Sequence, residues 1–321
     1  MKAAVIHTFG EAPHFEEFAE PVVDEGEVLV QILAAGLHPI VKTLAAGSHY
    51  GSTEALPMIP GIDGVGRLKD GRRVYLSGTR PPYGTMAERA AVPGKMCLPL
   101  PESLDDITAA ALFNPGLSAW LALKWRAQLA PGETALILGA TGAAGKLAVQ
   151  MAKLFGAGKV IALGRNERVL RTLPELGADV VISLEQPDEE LVRAIANESE
   201  QTGIHVIVDY LWGRPTEAVI ARVMRRGLTH LAPRVRLIEV GQMAGSTIAL
   251  PASVLRSSGL EISGSGAGTI PLERVMEAIP QLIEFAASGK LSIETESTRL
   301  SEVEEVWQRR SSENRRLVFV P

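Results

Sequence analysis

Two hydrophobic patterns divide the chain. From Met1 to about Phe113, short apolar runs such as Glu27 to Ala34 alternate with polar positions between frequent turn residues, which predicts a mostly antiparallel β region. Further along, uninterrupted apolar runs such as Thr134 to Leu138 alternate with segments of helical spacing, which is typical of parallel strands buried on both faces. The pattern therefore predicts an α/β chain in which a doubly wound parallel sheet follows a mostly β domain.

Six apolar runs predict the strands of the parallel sheet: Thr134 to Leu138, Lys159 to Leu163, Val180 to Ile182, His205 to Asp209, Arg236 to Val240 and Glu261 to Ser263. Two helices, Asp105 to Ala111 and Gly116 to Lys124, are predicted to connect the β region to this sheet. A helix at Pro271 to Gly289 and a strand at Leu317 to Val320 are predicted to return to the first domain.

A glycine-rich turn follows the first parallel strand. The letters are G-A-T-G-A-A-G, with Gly139, Gly142 and Gly145 as the glycines, and a helix follows from Ala144 to Phe155. Small residues here let backbone amides approach a pyrophosphate at a helix N-terminus, which makes Thr141, Gly142, Ala143 and Ala144 candidate cofactor residues. The alternative is an ordinary tight turn, but the complete strand-helix-strand unit favours dinucleotide binding.

The end of the second parallel strand decides which dinucleotide is expected. An acidic residue there would bind the ribose hydroxyls of NAD, but the chain reads Gly164, Arg165 and Asn166, with Arg168 one turn later. Guanidinium groups suit a 2′-phosphate, so we predict NADPH rather than NADH. The alternative is that both arginines are solvated surface residues.

Composition limits the classes of protein to consider. The 321 residues suit two domains, 46% are hydrophobic and 21% charged, and the formal net charge is −5. No signal peptide or membrane span is predicted, so the expectation is a cytoplasmic enzyme. Cys97 is the sole cysteine, which excludes an internal disulfide and a four-thiolate zinc site. The basic clusters Arg222 to Arg226 and Arg309 to Arg316 are short and interrupted, which favours solvated helix faces over nucleic-acid binding.

Several motifs in order resemble a known family. They are AAGLHP from Ala34, LPMIPGIDGVG from Leu56, YGTMAE from Tyr83, the glycine-rich segment from Leu129, LPASVLRSSGLEISGS from Leu250 and the closing RRLVFVP. Over nearly the whole chain this resembles the medium-chain dehydrogenase/reductases, and most closely their zinc-free quinone oxidoreductase branch, similar to zeta-crystallin.

The resemblance implies a GroES-like catalytic domain formed by residues 1–114 and 267–321, beside a Rossmann NADPH-binding domain at residues 115–266. It implies hydride transfer from NADPH to a quinone, an activated alkene (enone or enoyl) or a reactive carbonyl. It also implies a homodimer or homotetramer whose partner is a small-molecule substrate, with no membrane and no nucleic acid. The competing hypothesis is an NADPH-binding redox sensor or structural protein with weak or lost catalysis.

The resemblance also locates a candidate catalytic centre. Zinc-dependent relatives have Cys at the position of His38 and His-Glu at the positions of Ile62 and Asp63, so that at most two of three zinc ligands remain here. We therefore expect no metal. The quinone branch often has Asn where this chain has His38 and Asp where it has Val41. The hypothesis is that His38 and Tyr50 donate hydrogen bonds to a substrate oxygen, and the alternative is a satisfied loop histidine and a wall of the cleft.

Two further strand ends are expected near the nicotinamide. By the resemblance, Gly241 with Gln242, and Gly264 with Ser265, flank it from the carboxyl ends of parallel strands, although each is also compatible with a simple turn. Asn114 is expected either to contact the nicotinamide ribose or amide, or to cap the helix Gly116 to Lys124.

Overall fold

The computed structural model describes residues 1–223, 233–309 and 315–321. The chain forms two compact units, Met1–Pro115 with Ile283–Pro321, and Gly116–Leu282. Residues 224–226 of the first basic cluster and 310–314 of the second lie outside the described residues, so the expectation of solvated helix faces there is not addressed.

The first unit begins as a β domain. Its strands up to residue 99 are β1 (Lys2–Val5), β2 (His14–Glu17), β3 (Glu27–Gly36), β4 (Asp63–Arg67), β5 (Arg73–Ser77), β6 (Arg89–Pro93) and β7 (Cys97–Pro99). Helix α1 (Pro39–Ala45) follows β3, and helix α2 (Asp106–Trp120) follows β7. β3 pairs antiparallel with both β4 and β6, and β4 pairs antiparallel with β5. The predicted antiparallel β region is therefore present.

The second unit is a parallel sheet. Its strands are β8 (Thr134–Leu138), β9 (Lys159–Gly164), β10 (Val180–Ser183), β11 (Val206–Asp209), β12 (Val235–Glu239) and β13 (Leu260–Gly264). Its helices are α3 (Ala143–Leu154), α4 (Glu167–Leu170), α5 (Asp188–Thr202), α6 (Gly213–Val223), α7 (Ala252–Ser257) and α8 (Leu272–Ala287), the last of which extends past residue 282. The strand order β10-β9-β8-β11-β12-β13, with every pair parallel, is the Rossmann arrangement. The predicted fold class is confirmed.

The end of the chain completes the first unit. β14 (Thr295–Arg299), α9 (Val303–Val306) and β15 (Arg316–Val320) follow α8. β15 lies parallel to β14 and antiparallel to β3, giving the order β14-β15-β3-β4-β5-β7 with β6 beside β3. The core of this unit packs Val30, Leu76, Trp307 and Phe319 together with the β1 side chains. None of the helices in the described ranges is long and apolar enough to span a bilayer.

A single helix connects the β region to the parallel sheet, where two separate helices were predicted. α2 runs without interruption through Pro115 and continues as a π-helical turn at Leu121–Arg126. A proline inside a helix costs about 3 kcal/mol, but the residues on both sides, such as Phe113 and Ala119, are fully buried, and this burial outweighs the cost. The prediction that Asn114 caps a helix starting at Gly116 is therefore wrong, because Asn114 lies inside α2.

The second unit ends later in the chain than residue 266. Trp120 Nε1 donates to Gln281 Oε1 at 3.2 Å, and Arg126 Nη2 donates to the carbonyl and hydroxyl oxygens of Thr269 at 3.0 and 2.8 Å. These bonds join residues 269–281 to the segment that precedes the parallel sheet. Most of α8 consequently belongs to the second unit in the structure.

Candidate active site

The glycine-rich turn between β8 and α3 forms a close backbone corner. Gly142 N–H donates to Gly139 O at 3.0 Å, and Gly142 then precedes the first residue of α3. A Cβ added to Gly145 would overlap with Gly139 O, so no side chain fits at this position. The start of the helix therefore packs directly on the end of the strand, which requires glycine at residue 145.

The N-terminus of α3 can accept an anion. The first amides of a helix have no acceptor inside the helix, and no side chain caps this one. Gly142 is exposed, Ala143 and Ala144 are half-buried, and the first turn contains no acidic residue. Ala143 and Ala144 therefore present amides without an acceptor inside the helix, at the positive end of a helix dipole, which suits a pyrophosphate.

The end of β9 lies beside this turn. A Cβ on Gly164 would overlap with Thr141 Cγ2, so Thr141 packs directly over Gly164. Arg165 follows at the surface, and Arg168 is exposed on α4. Asn166 is the N-cap of α4, where its Oδ1 accepts a hydrogen bond from Val169 N–H at 3.2 Å. The Asn166 side chain is thus engaged in starting a helix, which leaves Arg165 and Arg168 as candidates for a 2′-phosphate.

Apart from Asn114, which lies inside α2, the remaining predicted cofactor residues lie at the same edge of the sheet. Gly241 N–H donates to Asp209 O at 3.2 Å after β12, and Gln242 next to it is exposed. Gly264 ends β13, and Ser265 N–H donates to Glu239 O at 2.8 Å. The Ser265 hydroxyl is buried without a hydrogen-bond partner in the described residues, which leaves a polar atom available to a bound group. The structure thus brings the ends of β8, β9, β12 and β13 together at one edge, as the sequence predicts.

An acidic residue also ends a strand here, but its oxygens are occupied. Asp209 Oδ1 accepts from the amides of Leu211 and Trp212 at 2.8 and 3.0 Å, and Oδ2 accepts from Thr216 Oγ1 at 2.5 Å. Burial raises the pKa of Asp209, and these hydrogen bonds act in the opposite direction. Asp209 therefore stabilises the turn into α6 and is not a candidate for binding a ribose.

The first unit holds a buried histidine-carboxylate pair. His38 is 1% exposed and directly precedes α1, and its Nε2 lies 3.1 Å from Asp63 Oδ1. Neither ring nitrogen has hydrogen-bond geometry to a partner among the described residues, and the same holds for Oδ1. The other carboxylate oxygen, Oδ2, accepts a hydrogen bond from the buried Tyr75 hydroxyl at 2.9 Å. Asp63 is therefore held by Tyr75 and faces His38.

An arginine from the last strand completes this cluster. Arg316 Nη1 donates to Leu37 O at 2.9 Å, while its Nε has no partner in the described chain. Burial lowers the pKa of Arg316 to about 10, and the charge of Asp63 opposes this shift. We call His38, Asp63, Tyr75 and Arg316 the buried polar cluster. Sequence analysis missed Tyr75 and Arg316, because their neighbours in the chain give no sign of a contact with Asp63.

Burial decides the charge of the histidine. It lowers the pKa of His38, the charge of Asp63 opposes this, and the charge of Arg316 adds to it. Burial raises the pKa of Tyr75 well above its usual range, so that this hydroxyl stays protonated and donates to Asp63. Because the ordinary pKa of histidine is already about 6.5, His38 is neutral near pH 7, with one N–H and one lone pair.

Tyr50 lies in a different environment from His38. It is 77% exposed in the loop after α1, and its ring stacks on His49 with a centroid distance of 4.1 Å. His49 Nδ1 accepts from Gly51 N–H at 3.0 Å, which fixes the histidine in the loop. His38 and Tyr50 share no hydrogen bond or ring contact in the described residues, so the structure does not bring the two hypothesised donors together.

The positions that would bind a catalytic zinc supply fewer than the three protein ligands it needs. Ile62 offers no ligand atom, and His38 with Asp63 supplies two groups. Within residues 1–223, 233–309 and 315–321, no group of three His, Cys, Asp or Glu side chains is arranged to hold a metal ion. The residues present do not fit a catalytic zinc.

Comparison with known proteins gives the class first. Residues 143–288 match the family model described as zinc-binding dehydrogenase. The chain is 29% identical to a probable NADPH-dependent quinone reductase, tdiC, of Emericella nidulans, with 100% of both chains covered. It is 28% identical to an alcohol dehydrogenase of Geobacillus stearothermophilus, over 96% of this chain and 95% of that one.

A solved structure agrees in fold and length. The quinone oxidoreductase of Thermus thermophilus, also solved in complex with NADPH, superposes with a TM-score of 0.81 at 28% identity and covers 100% of both chains. The chain resembles the medium-chain dehydrogenase/reductase superfamily, in its quinone oxidoreductase branch, and is an oxidoreductase.

Proposed function

We propose that this protein is an NADPH-dependent, zinc-independent reductase whose substrate is a quinone, an activated alkene (enone or enoyl) or a reactive carbonyl. The observation that carries the cofactor choice is the end of β9, where Gly164 and the exposed Arg165 follow the strand without a carboxylate. The relatives named as NADPH-dependent quinone reductase and as 2-methylene-furan-3-one reductase of Solanum lycopersicum, the latter 34% identical over 51% of this chain, support the substrate range.

Each predicted residue has a part in holding the cofactor. The amides of Ala143 and Ala144 would bind the pyrophosphate beside Gly142, whose own amide donates to Gly139 O, and Arg165 with Arg168 would bind the 2′-phosphate. Thr141 supports the turn through its packing on Gly164. The cofactor residues near the reacting end are Gly241, Gln242, Gly264, Ser265 and Asn114. Bound NADPH supplies one hydride, and one proton completes the two-electron reduction of the substrate.

His38 is the residue we assign to the substrate oxygen. Its side chain is neutral and buried, its Nε2 lies 3.1 Å from Asp63 Oδ1 without hydrogen-bond geometry, and its Nδ1 has no partner among the described residues, so we assign the ring N–H to an oxygen that gains negative charge. The test is His38→Asn, measured as kcat at saturating substrate alongside the thermal midpoint of unfolding. A variant that folds and keeps the wild-type kcat would remove His38 from the reaction.

The cofactor assignment is tested by titrating the purified protein with NADPH and with NADH, followed by NADPH oxidation with a panel of quinones and enones. Tighter binding of NADPH together with turnover is the expected result. Preference for NADH would overturn the assignment of Arg165. The metal content of the active protein, measured by mass spectrometry, is expected to be well below one zinc per chain.

A second candidate is an NADPH-binding redox sensor or structural protein with weak or lost catalysis. It is favoured by one observation: His38 is fully buried while Tyr50 is on the surface, so the two hypothesised donors do not form a pair. Tight NADPH binding without turnover of any quinone or enone would select this candidate over the reductase.

The assembly and location belong to the same proposal. We expect a homodimer or homotetramer in the cytoplasm, acting on a small molecule and without nucleic acid or membrane partners. Sedimentation of the purified protein measures the assembly, and a monomer at micromolar concentration would contradict it.

A further inference from the structure

A mostly apolar pocket of about 130 Å³, open to solvent on one side and called the cavity below, lies within the first unit. Val41 and Leu44 of α1 form one side, Met58, Ile59 and Ile62 form a second, and the segment ending at Tyr83 forms a third. None of the lining residues in the described chain is charged. Apolar walls without charge favour an uncharged, apolar group over a phosphate or a carboxylate.

The cavity adjoins the buried polar cluster through the chain itself. Val41 N–H donates to the carbonyl oxygen of His38 at 3.0 Å, and Ile62 directly precedes Asp63. Val41 is 1% exposed and Ile59 is 3% exposed, so these walls are part of the core and hold their positions. A group bound in the cavity would thus lie beside the elements that carry His38 and Asp63.

The volume restricts what the cavity can hold. Apolar cavities of roughly 150 Å³ bind one benzene ring, so about 130 Å³ is enough for a single six-membered ring or a short branched alkyl group. A second fused ring needs several more carbon atoms than this volume provides and would have to extend out of the open side of the pocket, where it gains no apolar contact. The polar groups in the lining are few, and the Tyr83 hydroxyl among them already donates to Glu20 O at 3.1 Å.

We propose that this cavity binds the ring or short alkyl end of a neutral single-ring quinone or enone and excludes fused two-ring substrates. The identity of the substrate as a quinone or enone rests on the proposed function. The binding of a small uncharged ring in this cavity does not depend on it. Leu44 is the residue that sets the size limit, since it is half-buried at the cavity wall.

Binding is tested without cofactor and without turnover. The probes are cyclohexanone, with one ring, and 1-tetralone, with two fused rings, followed by saturation-transfer NMR on the wild-type protein. The variants are Leu44→Trp, which fills the cavity, and Leu44→Ala, which enlarges it, with Leu255→Trp on α7 as the matched control because Leu255 is 48% exposed. The wild type and the control are expected to bind cyclohexanone and not 1-tetralone.

Leu44→Trp is expected to weaken cyclohexanone binding at least about tenfold, and Leu44→Ala to admit 1-tetralone. Equal binding of both probes by the wild type, or unchanged cyclohexanone binding in Leu44→Trp, would overturn the proposal. If Leu44→Trp does not fold, Leu44→Ala decides, and continued exclusion of 1-tetralone by that variant counts against the proposal.

Turnover separates this proposal from the proposed function. The ratio of kcat/KM for 1,4-benzoquinone to that for 1,4-naphthoquinone is expected to fall at least about tenfold in Leu44→Ala. Turnover of both quinones with an unchanged ratio would sink the cavity assignment and leave the reductase intact. Probe binding that responds to both variants, without turnover of any quinone or enone, would support the cavity and sink the reductase.

Discussion

Tyr75 donates a hydrogen bond to Oδ2 of Asp63 at 2.9 Å, and both side chains are buried in the first unit. Asp63 Oδ1 faces His38, and Arg316 lies close enough for its charge to act on both groups. Within the described residues, the Tyr75 hydroxyl donates the side-chain hydrogen bond to this carboxylate, whose other oxygen lies 3.1 Å from the neutral His38. Its removal isolates the contribution of the hydrogen bond from that of the charges.

Tyr75→Phe is expected to lower the free energy of unfolding by about 1–3 kcal/mol, because a buried charged acceptor loses its partner. Urea denaturation at pH 7 measures it. Tyr83→Phe is the matched control, since that hydroxyl donates to Glu20 O near the surface. The free energy of unfolding of the control is expected to fall by less than half as much. An equal decrease in the two variants would contradict a stabilising hydrogen bond from Tyr75 to Asp63.

Stability is expected to fall as the pH is lowered below about 6.5. Burial lowers the pKa of His38 in the folded protein, so between that pKa and the unfolded value of about 6.5 the unfolded chain binds more protons. The stability contribution of neutral His38 is therefore complete above about pH 6.5 and is lost as the pH falls toward the folded pKa. His49 shifts in the same direction and adds to the slope.

The measurement is the free energy of unfolding between pH 5 and 8 for the wild type, His38→Gln and His49→Gln. The slope below pH 6.5 is expected to flatten more in His38→Gln than in His49→Gln, because His49 is only partly buried. Parallel curves for the wild type and His38→Gln would show that His38 is not kept neutral by the fold.

Substitutions of two glycines in the turn are expected to have different effects, one on stability and the other on NADPH binding. In Gly145→Ala the new Cβ would overlap with Gly139 O, so the helix must shift, at a cost of about 1–3 kcal/mol in stability. In Gly142→Ala the nearest atom is Gly139 O at 3.4 Å, an ordinary contact, so stability is expected to change little. The methyl group would instead stand where a pyrophosphate approaches the helix and weaken NADPH binding.

Thermal unfolding and NADPH titration of both variants separate the two effects. Gly142→Ala is expected to keep the wild-type midpoint while losing at least about tenfold in NADPH affinity. Wild-type affinity in a folded Gly142→Ala protein would place the cofactor elsewhere.

Arg165→Gln is expected to weaken NADPH binding about tenfold to hundredfold and to leave NADH binding nearly unchanged, because only NADPH carries a 2′-phosphate. Fluorescence titration with both cofactors measures the ratio of affinities. Arg171→Gln is the matched control, since Arg171 is an exposed arginine one turn beyond Arg168. A uniform loss for both cofactors would indicate a general electrostatic effect instead.

The parallel sheet was predictable because its strands are buried on both faces. An apolar run such as Thr134 to Leu138 predicts a buried strand from its own residues, without information about the strands beside it. In the structure all five residues are buried. By contrast, β2 reads HFEE and β14 reads TESTR, and neither contains a fully buried residue. Such strands form because neighbouring strands hydrogen-bond to them, which a local pattern does not record.

The buried polar cluster shows a second limit. The motif around His38 and Asp63 contains two members of the cluster, and Tyr75 joins them from β5 and Arg316 from the end of the chain. A local sequence motif identifies residues that lie close to one another in the chain. It does not find a hydroxyl that donates to a carboxylate on the neighbouring strand, or an arginine about 250 residues away whose pKa responds to the charge of that carboxylate.

The position of β15 between β14 and β3 has a consequence for how the protein is made. β3 is translated about 280 residues before its partner strand at Arg316–Val320. The second unit, residues 116–282, is contiguous and contains all six strands of its own sheet. It can fold while translation continues, whereas the amino-terminal sheet must wait with an open edge until the final strand emerges. The second unit can therefore fold before the sheet of the first unit is complete, and a ribosome that stops before residue 316 leaves a folded Rossmann unit attached to an unfinished sheet.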